Sequence, residues 1–210
     1  MMNNMKTFNI QQLFKDTWKL FEKHILVLLG AYIAVALIIG GSGLLMDEQS
    51  IANIPAMILL TLLIWLIAAI FAVGIIQILL DIVEGKDPKI ETLWSRGELV
   101  PGYVGLQILV AVIVFLGLFL FIFPAFIFWI TFSFASFAFV HRGGGILESM
   151  VDSKNITKGH KWNLLLIFIF LIILNMAGAA LFGVGLILTV PFSHLMVALL
   201  YTKLRDTSNA

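Results

Sequence analysis

The chain contains no cysteine, which excludes disulfides, thiolate metal sites and cysteine nucleophiles. Charge is also scarce: Asp, Glu, Lys and Arg make up 12% of the residues, against roughly 25% in soluble domains. A net charge of +1 gives no field for nucleic acid. Enzyme signatures are missing, with no HExxH, no GxSxG, no phosphate-binding glycine loop and no carboxylate pair inside an apolar run. No catalytic residue, metal ligand or cofactor is therefore assigned. The first two dozen residues are polar and amphipathic, so no cleavable signal peptide is expected. Asn155-Ile156-Thr157 has the pattern of a glycosylation acceptor but falls in a segment read below as cytoplasmic.

What fills the chain instead is hydrocarbon, at 61% of residues. From Leu99 to Val140 there is no Asp, Glu, Lys or Arg, and the same holds from Trp162 to Thr202. A run of about 42 residues would make one helix about 63 Å long, twice the roughly 30 Å hydrocarbon core. Each run must therefore fold back on itself. Unpaired backbone is too costly in lipid, so helices are required and turns are pushed to the interface. The expected fold is all-α with six transmembrane helices in three hairpins, a single domain over residues 1–210. The spans are approximately 25–46, 54–82, 103–123, 124–141, 162–182 and 184–202.

All thirteen Lys and Arg residues fall in four places. These are the N-terminal segment (Lys6 to Lys23), two internal stretches (Lys86 to Arg96, Arg142 to Lys161) and the tail (Lys203, Arg205). Cytoplasmic loops retain positive charge, so both termini and both internal stretches are expected on the cytoplasmic side. Asp47 and Glu48 mark the one charged outer loop. Pro55, Pro124 and Pro191 each fall near the start of the second helix of a hairpin, where a missing N–H costs least.

Each hairpin follows a short amphipathic stretch, and the stretches resemble one another. Ile10, Asp16, Thr17, His24 and Pro55 recur as Ile146, Asp152, Ser153, His160 and Pro191 at one constant offset. The middle copy matches more loosely, through Ile90, Leu93 and Trp94. We read three repeats, each an interfacial helix (about 8–23, 88–97 and 146–158) followed by a hairpin. In the first, Ile10, Phe14, Trp18, Phe21 and Ile25 follow three-to-four spacing opposite Lys15, Asp16, Lys19, Glu22 and Lys23. The third is expected to present Leu147, Met150 and Val151. Phe14, Trp18, Phe21, Trp94 and Trp162 are the candidate membrane-interface contacts. Such helices either engage the membrane surface or pack as a lid that fixes the depth of the bundle.

Few polar groups interrupt the spans. Gln77, Gln107, Asn175 and His194 form the candidate intramembrane cluster, because polar side chains at membrane depth often line a path. The competing role is hydrogen bonding between helices. His194 follows Pro191 by one turn and is expected to bond a backbone carbonyl or a polar residue of a neighbouring span. No Asp, Glu or Lys lies near the midplane of a span, as an ion-driven transporter would require.

The stretch from Ile146 to His160, with Ser153, Lys158 and Gly159 at its core and Pro124 in the preceding span, resembles a pattern in small bacterial six-span proteins. These are the YciC-like inner-membrane proteins and the membrane domain found beside glycerophosphodiester phosphodiesterases. The closing segment from Pro191 to Tyr201 is similar too. The resemblance implies a multi-pass protein of the bacterial cytoplasmic (inner) membrane. It carries over no activity, since no phosphodiesterase domain is present. The expected function is that of a non-enzymatic membrane scaffold or accessory protein, whose partners are the lipid bilayer or another membrane protein. The alternative is a transporter or channel for a small or amphipathic solute, built on the intramembrane polar residues.

Overall fold

The computed structural model describes residues 10–42, 54–120, 122–181 and 183–208. The expected outer loop at Asp47 and Glu48 lies outside the described residues. The elements are α1 (Ile10–Ser42), α2 (Ile54–Val83), α3 (Val100–Leu120), α4 (Ile122–Phe132), α5 (Ala135–Arg142), α6 (Ile146–Thr157), α7 (Lys161–Ala180) and α8 (Leu186–Ser208). Two short 3-10 turns, Ile90–Trp94 and Gly97–Leu99, join α2 to α3. No strand occurs among the described residues. Six stretches are long and apolar enough to cross a membrane: Ile10–Ile38, Ile54–Val83, Ile90–Phe119, Pro124–Arg142, Lys161–Ala180 and Leu186–Ser208.

Helix α1 carries the amphipathic segment and the first span on one element, broken at His24, whose φ of −116° and ψ of 19° are not helical. Its buried face runs Leu13, Thr17, Phe21, His24, Leu28 and Ala31. That face is turned by about one position from the expected Phe14–Trp18 stripe, leaving Trp18 46% exposed. Thr17 is tolerated inside because its hydroxyl donates to the Leu13 carbonyl at 2.8 Å. His160, the counterpart of His24 in the repeat, has φ −114° and ψ 6° at the start of α7. The two matched histidines therefore share a non-helical conformation, although the third segment already leaves the helix at Lys158 (φ −63°, ψ 127°).

The stretch 88–97, expected as an interfacial helix, is not α-helical. Its 3-10 turn lies against Gly74 of α2, where an added Cβ would meet the Leu93 backbone. An i→i+3 turn lets the chain pass this close to the helix without side chains between them.

The fourth span is also not one helix. It breaks between Phe132 and Ala135, which frees the Thr131 carbonyl and the Phe134 N–H. Ser153 of α6 restores both bonds: its hydroxyl donates to Thr131 O at 2.7 Å and accepts from Phe134 N at 3.2 Å. A turn through Gly143 (φ 79°), which caps α5 with its N–H on Val140 O, brings α6 back to this site. The inward face of α6 is therefore Ser149, Met150, Ser153, Ile156 and Thr157, while Leu147 and Val151 are exposed. This reverses the expectation for Met150, because the hydroxyl row satisfies backbone groups that an apolar face would leave unpaired.

The core lies toward the charged ends of the helices. The buried residues of α2 are confined to Val73–Ile82, and Ile54, Ile58, Leu59, Leu62, Leu63, Trp65 and Leu66 are exposed. In water such a surface would drive association, whereas in a bilayer it needs no protein partner. Helix α8 is central, with Leu195, Met196, Ala198 and Leu200 fully buried and packing against α1, α2, α6 and α7.

Candidate functional site

The four charge-bearing segments meet at one end of the bundle. Lys203 in the tail donates to Asp16 of α1, and Lys23 lies 3.7 Å from Asp87. Glu84, just after α2, receives Lys86 at 2.8 Å and lies 3.2 Å from His141 Nε2 and 3.7 Å from Arg205 Nη1. Arg142 donates to Asp152 at 2.7 Å. Partial burial pushes the Glu84 carboxyl up, but the hydrogen bond and charge of Lys86, with the charge of Arg205, outweigh it and hold the group below its ordinary range.

Beside this network lies a cavity of about 540 Å³ lined by His141, Arg142, Asp152, Asn155, Ile156, Lys158, Tyr201, Arg205 and Ser208. It is formed where α5, α6 and α8 converge. Arg205 is held over the Tyr201 ring, 5.7 Å from its centroid, and its Nη1 donates to His141 Nε2 at 2.5 Å. That bond requires an unprotonated Nε2, so three fixed cations (Arg142, Lys158, Arg205) face one carboxylate, Asp152. Lys158 makes no ion pair among the described residues, and Arg142 is held by Asp152 through Nε. Sequence reading grouped Arg142 with Lys158 as loop charge. It did not bring Tyr201 and Arg205 to them, because their meeting depends on how α8 packs.

The candidate interface aromatics occupy different environments. Phe21 is 2% exposed and packs edge-on against Phe192 of α8, so it belongs to the core. Phe14 is half-buried, with its ring centroid 5.0 Å from that of Phe192. Trp18, Trp94 and Trp162 are outward, at 46%, 58% and 79% exposed. Trp18 lines a shallow groove with Phe14, Lys15, Lys19 and Glu22, and donates to Glu22 at 2.6 Å. Trp162 lines an apolar groove of about 530 Å³ with Phe126, Ile127, Ile130 and Leu165, and Lys161 is the one cation of that lining.

The four intramembrane candidates each bond a different partner. Gln77 belongs to the charged end, donating to Asp81 at 2.9 Å and accepting from Arg96 at 3.2 Å. Gln107 accepts from Ser136 at 3.1 Å. Asn175 of α7 donates to Leu171 O and to Ser193 Oγ of α8, at 2.9 and 2.8 Å. His194 Nδ1 lies 2.6 Å from the Tyr32 hydroxyl of α1, a partner on a neighbouring span. No hydrogen bond among the described residues joins any two of the four. No protein-family model, curated protein or solved structure matches the chain.

Proposed function

We propose that the chain is a non-enzymatic integral membrane protein, a six-span scaffold or accessory protein of a bacterial inner membrane. In this reading it consists of three units, each an interfacial segment and a transmembrane hairpin, akin to the YciC-like proteins. Its charged end, with both termini, faces the cytoplasm and engages lipid headgroups or a membrane partner. The observation that carries the reading is the convergence of all four charged segments through Asp16–Lys203, Lys23–Asp87 and Glu84–His141–Arg205. Exposed Trp18, Trp94 and Trp162 stand near lysines or arginines in sequence, the pairing favoured at the headgroup boundary.

The transporter alternative depends on Gln77, Gln107, Asn175 and His194 sharing one cavity. Each bonds a separate partner, and of their side-chain atoms Asn175 Oδ1 alone is buried without one among the described residues, so no shared polar cluster favours transport over the scaffold. The test is identification of lipids and proteins retained after gentle extraction. Anionic lipid enriched over the bulk membrane, or a stoichiometric protein partner, is the expected result. Lipids at bulk proportion with no partner would overturn the proposal, as would a reporter fused at the C-terminus that reads extracytoplasmic.

A further inference from the structure

We propose that the cavity between α5, α6 and α8 is a phosphate-recognition site, taking the phosphoryl group of an anionic lipid headgroup. It rests on the reading above only in naming a lipid as the source.

Three features point to phosphate. First, the lining offers two cationic donor groups: the Lys158 ammonium, which has no ion pair among the described residues, and the Arg142 guanidinium, oriented by Asp152. A guanidinium fixed in orientation is suited to bidentate binding of phosphoryl oxygens, and Asp152 fixes Arg142 through Nε. Second, Arg205 is locked by Tyr201, His141 and Glu84, so it contributes field rather than a mobile chain. Glu84 and Asp206 offset Arg205 from outside the lining and Asp152 offsets Arg142 within it, which places the surplus charge at Lys158. Third, the volume of about 540 Å³ lies in the range that accepts a small organic ligand, larger than a lone phosphate needs. Asn155 and Ser208 line the same space and can bond the hydroxyls of a glycerol-type headgroup.

The source is separable by experiment. Purified full-length protein in nanodiscs of phosphatidylcholine, with or without phosphatidylglycerol, is assayed for retained lipid by native mass spectrometry and for thermal stability. Glycerol 1-phosphate and inorganic phosphate are added to the phosphatidylcholine discs as soluble probes. We expect retention of phosphatidylglycerol that falls roughly tenfold in Lys158→Gln and at least as much in Arg142→Gln, the loss of one charge-assisted contact. Lys158 is exposed and has no ion pair among the described residues, so its variant folds normally and keeps the test valid if Arg142→Gln does not. Lys15→Gln with Lys19→Gln serves as the control for charge removed elsewhere on the same end. Stabilisation by glycerol 1-phosphate without retained phosphatidylglycerol, lost in Lys158→Gln, keeps the phosphate site and assigns it a soluble ligand. Wild-type retention undiminished in both cavity variants overturns the site but leaves the headgroup reading intact. No response of the wild type to any phosphate probe overturns both.

Discussion

Ser153→Ala is expected to be among the most damaging single-atom changes in the protein. Ser153 is fully buried and its oxygen serves two backbone groups in the break of the fourth span. Without it the Phe134 N–H has no partner among the described residues, and Phe134 is itself 0% exposed, so water cannot substitute. The Thr131 carbonyl keeps only Thr157, at 3.4 Å. An orphaned buried group costs about 1–3 kcal/mol, so two partly compensated groups amount to about 2–4 kcal/mol. Ser149→Ala is the matched control. Ser149 is equally buried on the same face, but it bonds Gly145 O, which already accepts the Ser149 N–H. Its loss orphans nothing, and helix propensity returns a few tenths of a kcal/mol. Thermal unfolding in mild detergent, followed by loss of the monodisperse species, compares the two. Equal midpoints for both variants would refute the account of α6 as the partner of a broken span.

The other expectations concern packing, a cross-helix pair and pH. Gly74→Ala places a methyl group within 2.5 Å of the Leu93 carbonyl carbon and Cα, which are backbone and cannot rotate away. It should cost about 1–3 kcal/mol, whereas Gly40→Ala, with nothing within 4 Å, should be neutral or stabilising by the same unfolding assay. A double-mutant cycle of Tyr32→Phe and His194→Leu should give a coupling of about 0.6–1.7 kcal/mol, with His194→Gln milder than His194→Leu; additive effects would rule the pair out. The folded-state pKa of Glu84 is depressed, so its contribution is complete above the ordinary value of 4.5 and is lost as pH falls through the folded value. The midpoint of Glu84→Gln should therefore fall less than that of the wild type on acidification below about pH 4.5, and parallel curves would contradict the network.

Much of the architecture was readable because membrane physics leaves few choices. Charge-free runs longer than a bilayer is thick force helices that return, and six stretches of suitable length and polarity are present. The site was legible only by residue type. Arg142 and Lys158 lie sixteen positions apart by subtraction of their numbers and read as one basic stretch, but Tyr201 and Arg205 reach them only through the packing of α8 against α6. Helix faces were misjudged where polarity and burial part company. Thr17, Ser149, Ser153 and Thr157 lie inside because each bonds a carbonyl, and Phe21 and Met150, expected outward, lie inside with them, whereas Leu147 and Val151 are exposed as expected. The apolar stripe that marks a core in water loses that meaning at a membrane.

The segments matched at a constant offset in sequence differ in what their matched side chains bond. Thr17 and Ser153 correspond, both are fully buried, and both donate to a backbone carbonyl. Thr17, however, bonds Leu13 within its own helix, whereas Ser153 bonds Thr131 on another. Asp16 and Asp152 also correspond, yet one meets Lys203 of α8 and the other Arg142 of α5. What the two matched segments share is one backbone position: His24 and His160 have similar non-helical angles. A break there lets the two parts take different directions while the chain remains helical on either side. In the first copy the break is a kink within α1; in the third it widens into a turn that lets α6 insert its hydroxyl face beside α4. That insertion supplies the partners the broken fourth span requires, and it sets Asp152, Asn155 and Lys158 along one side of the basic cavity. The same local device thus yields a packing element in one copy and a candidate ligand site in the other.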